Sequence, residues 1–329
     1  MLTRRVSTRT GKSIAAVIAL AMAVVACGGD SDDSGSGGEG GNGLERSSIT
    51  VAALPLADDA PLYLAQSRGL FEKEGLDVRI QPVQQSIQAL PALAKGQVDV
   101  IASANYVTFL QAHEKGTLDV RVLAEGARVA PHMMDVLVPE DSDIRSVADL
   151  KGKKVAVNIL NNIQSLTLNA ILDERGAGRP EYRQIAFPQM GPALEKGQVD
   201  AVHAAEPFNS AIQGELNARV LVDGGSAPVE SIPISGYVTT GRYAAENPKT
   251  AAAFQRVIAA AAKLATRDQQ AVRAELPKYA KVTDDQAESI RLPAYPATTD
   301  VDQLSRLTRL MKEQGLLKKA IDPGTLLVE

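Results

Sequence analysis

The chain has 329 residues, of which 45% are hydrophobic and 22% charged, and this composition excludes a collagen, a coiled coil and a wholly disordered protein. The formal charge of −4 argues against a nucleic-acid binder, which would carry a basic face. The single cysteine excludes an intrachain disulfide, and one cysteine with 3 histidines argues against a zinc site of the Cys/His type. We therefore expect no metal and no cofactor.

The N-terminus has the order of a secretory signal peptide. Basic residues and no acids precede an apolar run, Ile14–Ala26. That run is shorter than the ~20 residues that span a bilayer core. The basic residues are Arg4, Arg5, Arg9 and Lys12. We predict a signal peptide over residues 1–26.

The run ends in Val24-Val25-Ala26-Cys27-Gly28, which resembles a bacterial lipobox. The resemblance implies that Cys27 is lipidated and becomes the new N-terminus. Residues 28–43 contain only Gly, Ser, Asp, Glu and Asn, and such a segment cannot bury enough surface to offset its ordering entropy. We expect residues 27–47 to be a flexible tether, and the protein to be extracytoplasmic and anchored to the cell membrane through Cys27.

Residues 48–329 alternate short apolar runs with helical patterns, and their number suggests two domains. Alternation of this kind predicts α/β architecture with parallel strands and right-handed crossovers. The first set comprises strands at Ile49–Leu54, Leu76–Val83, Val98–Ser103, Val120–Ala124 and Met134–Pro139, with helices at Pro61–Gly75, Ile87–Gly96 and Tyr106–Lys115.

The pattern then restarts, and an internal repeat marks the restart. Residues 92–99 match residues 193–200 at seven of eight positions, as helix end, glycine cap, aspartate and buried strand. The repeat predicts two equivalent lobes. The second set comprises strands at Val155–Asn158, Tyr182–Phe187, Val199–Ala204 and Arg219–Val222, with helices at Asn162–Arg175, Gly191–Lys196 and Phe208–Leu216.

After Ser235 the pattern changes to one strand followed by helices. A chain that leaves lobe one near residue 138 and returns near residue 237 has two hinge strands. Lobe one is then residues 48–137 plus 238–329, and lobe two is residues 138–237. The last elements are a strand at Gly236–Thr240 and helices at Ala244–Ala280, Glu288–Leu292 and Asp302–Leu316.

Several short sequence segments together resemble those of a family of ABC-importer substrate-binding proteins. The branch concerned binds nitrate, sulfonates, taurine and thiamine pyrimidine precursors. The resemblance covers essentially all of residues 48–329. It implies a two-lobed periplasmic-binding-protein fold of type II, a small-molecule ligand in the cleft between the lobes, and permease and ATPase subunits as partners of a monomer. The segments are Pro61-Leu62-Tyr63-Leu64-Ala65, Gly69-Leu70-Phe71, Glu74-Gly75-Leu76-Asp77-Val78, Leu150-Lys151-Gly152-Lys153-Lys154-Val155, Gly197-Gln198-Val199-Asp200-Ala201 and Glu206-Pro207-Phe208.

Ligands of open parallel sheets bind outside the carboxyl ends of the strands, where helices begin. This rule selects six loops, and the hinge strands add two more residues. In the repeat, Asn105 aligns with Glu206, so we expect both to face the cleft. The predicted ligand contacts are Asp58, Tyr63, Ser86, Asn105, Tyr106, His132, Asn158, Asn161, Asn162, Glu206, Phe208 and Tyr237.

Each of these residues also has a structural alternative. Glu206 and the asparagines are residue types that begin helices or form turns, and Asp59 is a candidate N-cap. The four aromatic rings are candidates for ordinary core packing as well as for sandwiching a flat ligand. His132 is equally compatible with a satisfied strand histidine.

The loops hold Asp58, Asp59 and Glu206, and Arg128 is the only cation near them. This favours a ligand with N–H donors or a positive charge, such as an amino-substituted pyrimidine precursor. Helix N-termini leave nitrate, taurine or an alkanesulfonate as the alternative, and a ligand-sensing lipoprotein for a membrane receptor as another. We expect that the protein is not an enzyme. Relatives that make the thiamine pyrimidine carry a cysteine-rich motif, which this chain with its single cysteine lacks. The sequence also contains no phosphate loop and no nucleophile elbow.

Overall fold

The computed structural model describes residues 43–328. The predicted signal peptide, the lipobox and Cys27 lie outside the described residues. Between residues 43 and 328, no helix has the length and apolar character that crossing a membrane requires.

Within the described part of the chain, ten strands form two five-stranded sheets, and the predicted α/β class is confirmed. The first sheet has the order β2-β1-β3-β10-β4, and the second has the order β7-β6-β8-β5-β9. The strands are β1 (Ser48–Ala53), β2 (Asp77–Pro82), β3 (Val100–Asn105), β4 (Val120–Arg128), β5 (Asp135–Val138), β6 (Lys154–Val157), β7 (Glu181–Gln184), β8 (Ala201–His203), β9 (Arg219–Asp223) and β10 (Pro233–Thr240).

Helices flank both sheets. Short 3-10 turns at Ala57–Asp59, Ser86–Ala89, Val147–Leu150 and Pro323–Leu326 supplement them. The helices are α1 (Ala60–Ser67), α2 (Leu70–Lys73), α3 (Leu90–Ala94), α4 (Tyr106–Glu114), α5 (Ile163–Glu174), α6 (Phe187–Glu195), α7 (Phe208–Leu216), α8 (Gly241–Glu246), α9 (Pro248–Arg267), α10 (Gln269–Tyr279), α11 (Asp284–Ser289) and α12 (Val301–Glu313).

The two sheets share one topology. In the first, β1 pairs in parallel with β2 and β3, and β10 is antiparallel to β3 and β4. In the second, β6 pairs in parallel with β7 and β8, and β5 is antiparallel to β8 and β9. Each sheet is therefore mixed, because its antiparallel strand is the one that arrives from the other lobe.

The chain crosses between the sheets twice, from β4 to β5 and from β9 to β10. Strand β5 belongs wholly to the second sheet and β10 wholly to the first. The expected lobe boundaries at residues 137/138 and 237/238 fall inside these strands, so both crossings come a few residues earlier than the sequence pattern indicated.

The internal repeat forms the same corner in both lobes. Gly96 and Gly197 end their helices with φ of +70° and +64°, a conformation that residues with a Cβ rarely adopt. The repeated aspartates then bind the first residues of the neighbouring strand. Asp99 Oδ2 accepts from the Thr50 amide at 2.8 Å, and Asp200 Oδ2 accepts from the Lys154 amide at 2.7 Å.

Of the C-terminal helix predictions, one needs correction. The segment Ala244–Ala280 is mostly helical, as expected, and is divided among α8, α9 and α10, with breaks at Asn247 and Asp268. The helix expected at Glu288–Leu292 is α11, which starts earlier. Its capping box pairs the Thr283 and Gln286 side chains with each other's backbone amides, and Ile290 is already extended.

The end of the expected tether is packed onto the body. Leu44 is buried, and the Glu45 carboxylate accepts from the Thr250 amide at 3.0 Å. The Arg46 guanidinium contacts Asp99 at 2.8 Å. Residues 44–46 therefore belong to the first lobe, because these ionic and apolar contacts fix them.

Candidate functional site

A cavity lies between the two lobes, at the carboxyl ends of β1, β3 and β6, where the strand-end rule places a ligand. Its volume is about 40 Å³, small beside the roughly 300–1,000 Å³ of typical ligand pockets. A ligand of several atoms therefore requires the lobes to move apart. The lining residues are Leu54, Leu56, Asp58, Ser86, Ser103, Asn105, Met134, Asn158, Ile159, Asn162, Ile163, Gln164, Phe187, Ala205, Ile234 and Ser235.

Asp58 is the acidic side chain of this lining. It is only 6% exposed, and its Oδ2 accepts from Ser235 Oγ at 2.7 Å. Its Oδ1 is buried and has no partner among the described residues. Burial raises the pKa of Asp58 to about 6, against the smaller opposing effect of the Ser235 hydrogen bond.

Asp59 has a structural role in the same turn. Its Oδ2 accepts from the Leu54 amide at 3.0 Å, and it makes no side-chain cap of α1. The N-cap interpretation of Asp59 is therefore wrong, because the carboxylate folds back to the end of β1. Burial raises its pKa well above the ordinary value.

The turn from β6 to α5 contributes amides to the cavity. Asn162 Oδ1 accepts from the amides of Gln164 and Ser165 at 3.1 and 3.3 Å, so it caps α5. Gln164 Oε1 accepts from the Asn158 amide and from Asn162 Nδ2, both at 2.8 Å. This network fixes the orientation of the turn, and Gln164 was missed by the sequence analysis.

Two further predicted residues line the cavity from lobe one. Asn105 caps α4 through a 3.4 Å contact from the Thr108 amide, and Ser86 Oγ lies 3.5 Å from the Asn105 amide. Ser103 was missed; it adopts a φ of +46°, and its buried Oγ has no partner among residues 43–328. Of the 12 predicted contacts, the structure places Asp58, Ser86, Asn105, Asn158 and Asn162 in the lining.

The electrostatics of the lining are one-sided. Of the described residues that line the cavity, none is lysine, arginine or histidine. Arg128, the cation nearest to the loops in sequence, is paired instead with Glu125, whose Oε2 accepts from its Nη2 at 2.9 Å. The starts of α4 and α5 at the cavity are capped by Asn105 and Asn162, whereas α6, which begins at the lining residue Phe187, has no side-chain cap.

The predicted aromatic contacts lie elsewhere. Tyr63 stacks on Tyr279 with ring centroids 3.7 Å apart, and Tyr237 is a core residue against Phe254. Tyr106 is 1% exposed and packs against the strand of Gly236. Phe208 stacks behind Phe187, centroids 5.6 Å apart, and Phe187 is the ring that lines the cavity.

Glu206 does not line the cavity but connects the lobes. It is fully buried, and its Oε1 accepts from Ser210 Oγ at 2.6 Å and from the Arg291 amide at 3.0 Å. Its carbonyl oxygen accepts from the Ala57 amide at 3.1 Å. Burial raises the pKa of Glu206 to about 7. Asn105 and Glu206 therefore occupy equivalent positions in the two lobes, but only Asn105 lines the cavity.

The remaining two predicted contacts lie outside the cavity. Asn161 is exposed at a turn with φ of +54°, and its carbonyl oxygen accepts from Gln111 Nε2 at 2.8 Å. His132 is 55% exposed and pairs with Asp135 at the first crossing.

Ser235 lines the cavity but was not among the predicted contacts. The sequence contained one signal for it, since it stands near the start of the returning strand.

About half of the chain is similar in sequence to two known proteins. The chain is 32% identical over 164 residues to a Haemophilus influenzae protein named as a putative thiamine biosynthesis protein, covering 49% of this chain and 50% of that protein. It is 33% identical over 171 residues to an Escherichia coli putative aliphatic sulfonates-binding protein, covering 50% and 51%. The chain spans about half the length of the curated relatives it matches.

A solved structure of the same fold covers most of the chain. The alkanesulfonate-binding protein SsuA from Xanthomonas axonopodis pv. citri, bound to MOPS, superposes with a TM-score of 0.73 at 20% identity, over 86% of this chain and 98% of that one. The two-lobed fold is thereby confirmed. Residues 57–272 match the family described as NMT1/THI5 like, and because this match extends over more than half of the sequence, the chain belongs to that family.

Proposed function

We propose that this protein is the extracytoplasmic solute-binding component of an ABC importer and closes its two lobes around a small ligand that carries N–H donors or a positive charge. The crossings from β4 to β5 and from β9 to β10 serve as the hinge between the lobe built on the first sheet and the lobe built on the second. The relatives named above, one a sulfonates-binding protein and one named for thiamine biosynthesis, support a small anion or a pyrimidine precursor as the ligand class.

The observation that carries the choice of ligand is the unpartnered Oδ1 of Asp58 in a cavity whose described lining lacks a cation. A buried carboxylate oxygen without a donor costs free energy, which a ligand N–H group recovers. An amino-substituted heterocycle offers such a donor and a flat face for Phe187. A sulfonate or nitrate would place a second negative charge beside Asp58.

The helix starts support the same choice. Anions bind helix N-termini through free backbone amides. Here Asn162 already accepts from the first amides of α5, and Asn105 from an amide of α4. An anion at the start of α4 or α5 would have to displace a cap, and only α6 begins at the lining without one, so nitrate, taurine and alkanesulfonates remain the alternative class.

The decisive experiment compares ligand classes on wild-type protein and on Asp58→Asn. Isothermal titration of the full chain would use hydroxymethylpyrimidine, taurine, an alkanesulfonate and nitrate. We expect the pyrimidine to bind and the variant to weaken its binding by about tenfold or more, as for a lost hydrogen bond to a charged group. Asp77→Asn, on the exposed start of β2, is the matched control and leaves the affinity unchanged.

The sign of the change separates the two classes. If the ligand is an anion, removing the Asp58 charge strengthens its binding instead of weakening it. That result would keep the importer proposal and overturn the ligand choice. Failure of every compound to bind would count against the importer branch itself.

The proposal also covers location and chemistry. Cys27 would carry a lipid that holds the protein at the membrane, and Cys27→Ser would release it to the soluble fraction on cell fractionation.

The protein acts without catalysis in this proposal, as a monomer with permease and ATPase subunits as partners. Recovery of each bound compound unchanged after prolonged incubation tests the absence of catalysis. A receptor-coupled sensor would bind the same ligand without stimulating any ATPase.

A further inference from the structure

We propose that His132, Asp135 and Asp223 form a binding site for a divalent cation of the Zn²⁺ type, placed where the chain crosses between the lobes. Each side chain offers one ligand atom, and these atoms all lie within 4.8 Å of one another. The site is separate from the interlobe cavity, since none of the three residues lines it. The amino-acid composition led us to expect no metal, because cysteine and histidine are few. The proposed site differs from that expectation, since two of its three ligands are aspartates.

The spacing of the donor atoms fits a small tetrahedral ion. Zinc bonds to histidine nitrogen and carboxylate oxygen are about 2.0–2.2 Å long, so two ligands of one ion lie about 3.3 Å apart. His132 Nδ1 and Asp135 Oδ1 are 3.2 Å apart. A carboxylate oxygen of Asp223 lies within 4.8 Å of both atoms, and binding of the ion would require it to move closer to them.

Neighbouring groups already orient the two carboxylates. Asn209 Nδ2 donates to Asp135 Oδ2 at 3.2 Å. Asp223 Oδ1 accepts from the His132 amide at 3.1 Å and from the Gly225 amide at 2.8 Å. In each carboxylate, these bonds hold one oxygen and leave the other to bind an ion. Outer-shell hydrogen bonds orient metal ligands in the same way.

Asn209 supplies an independent observation. It is fully buried, and its Oδ1 has no hydrogen-bond partner among the described residues. The Nδ2 of the same amide donates to Asp135 Oδ2 and to the His132 carbonyl oxygen, so this unpartnered oxygen belongs to a side chain that lies against two of the three residues. A solvent-open cavity lined by His132 and Asp135 gives an ion a route to the site.

The position of the site suggests what the ion does. His132 lies in the outgoing crossing and Asp135 begins β5, whereas Asp223 ends β9 and begins the returning crossing. A bound ion would therefore tie the two crossings together and restrain the hinge. The competing interpretation is a simple ion pair between His132 and Asp135, which needs no metal.

The test uses the full chain after treatment with a chelator. Zn²⁺ is titrated calorimetrically, and Co²⁺ is followed by its visible absorption, which reports tetrahedral nitrogen and oxygen ligation. We expect one equivalent to bind, and His132→Ala and Asp223→Asn each to weaken the affinity by about tenfold or more. His113→Ala, which removes a histidine near Asp119 on the other side of the first lobe, keeps the wild-type affinity.

Thermal unfolding in the chelator shows whether each variant is folded, and Asp223→Asn is the variant of nearly unchanged shape. At the same Zn²⁺ concentration, the ion should raise the unfolding midpoint of the wild type by mass action and raise that of the variants less. Wild-type affinity in both variants would overturn the site, and so would failure of the wild-type protein to bind either ion.

Discussion

The Asp58 carboxylate is unfavourable for the fold and suited to binding. It is buried with one unpartnered oxygen, and burial raises its pKa to about 6. A protein selected only for stability gains nothing from an ionised group in this position. We interpret this local cost as the preparation of a donor-seeking oxygen in the ligand cavity, a trade between stability and function found at many sites.

This cost predicts a pH-dependent stability. Because the pKa of Asp58 rises from 3.8 to about 6 on folding, its favourable contribution is complete below about pH 4 and is lost as the pH rises through 6. Asp58→Asn removes the titration. Without ligand, the variant should exceed the wild type in unfolding free energy by up to about 3 kcal/mol at pH 8, with little difference at pH 4.

Urea denaturation at the two pH values measures that difference. Glu206, whose burial raises its pKa in the same direction, titrates in both proteins and cancels in the comparison. An equal difference at pH 4 and pH 8 would show that Asp58 does not titrate with the fold.

At the scale of elements, the repeated helix–strand corner builds both lobes. The glycine adopts a left-handed backbone conformation, and the aspartate three residues later accepts from an amide in the first half of the adjacent parallel strand. One eight-residue phrase therefore specifies a helix end, a turn and a strand pairing. This explains why the same phrase occurs at equivalent places in both sheets.

The corner is tested by a pair of glycine substitutions. Gly197→Ala should destabilise the protein by about 1–2 kcal/mol, because φ of +64° is strained for a residue with a Cβ although no atom lies within 4 Å of the added methyl group. Gly214→Ala is the matched control, since Gly214 lies inside α7 with the same open space. It should stabilise by about 0.5–1 kcal/mol.

Both effects are read from urea denaturation midpoints at constant slope. If the two substitutions changed stability equally, backbone conformation would not be the cause, and the role assigned to the glycine in the corner would be wrong.

At the scale of the whole molecule, hydrogen bonds and a buried apolar cluster that includes residues of both lobes hold the lobes together around a small cavity. Gln85 Nε2 contacts the Asn158 carbonyl oxygen, and Gln111 and Gln314 donate to carbonyl oxygens of lobe two. Glu206 adds a backbone and a side-chain bond to lobe one. The opening of the lobes that the proposed function requires would break these bonds.

Glu206→Ala should shift the molecule toward an open form. It leaves the Arg291 amide without its acceptor, at a cost of about 1–3 kcal/mol to the closed arrangement. Small-angle X-ray scattering of the protein without ligand should show a larger radius of gyration. Glu215→Ala, at an exposed position of α7, the helix that follows Glu206, is the control, and identical scattering of the two variants would remove Glu206 from the closure.

The sequence by itself determined the elements and their order, because helical periodicity, apolar runs and glycine ends are local signals. It also identified the loops at the strand ends, and five predicted residues line the cavity. Asparagines at Asn105 and Asn162 were predictable as caps for the same local reason.

Only the tertiary structure decided which side chains face the cavity. Tyr63 and Phe187 occupy comparable positions near helix starts, yet one stacks on Tyr279 of a distant helix and the other lines the cavity. The partner of each ring lies far away in sequence, so periodicity contains no information about it. For the same reason, the meeting of His132 and Asp135 with Asp223 became visible only when both crossings were placed side by side.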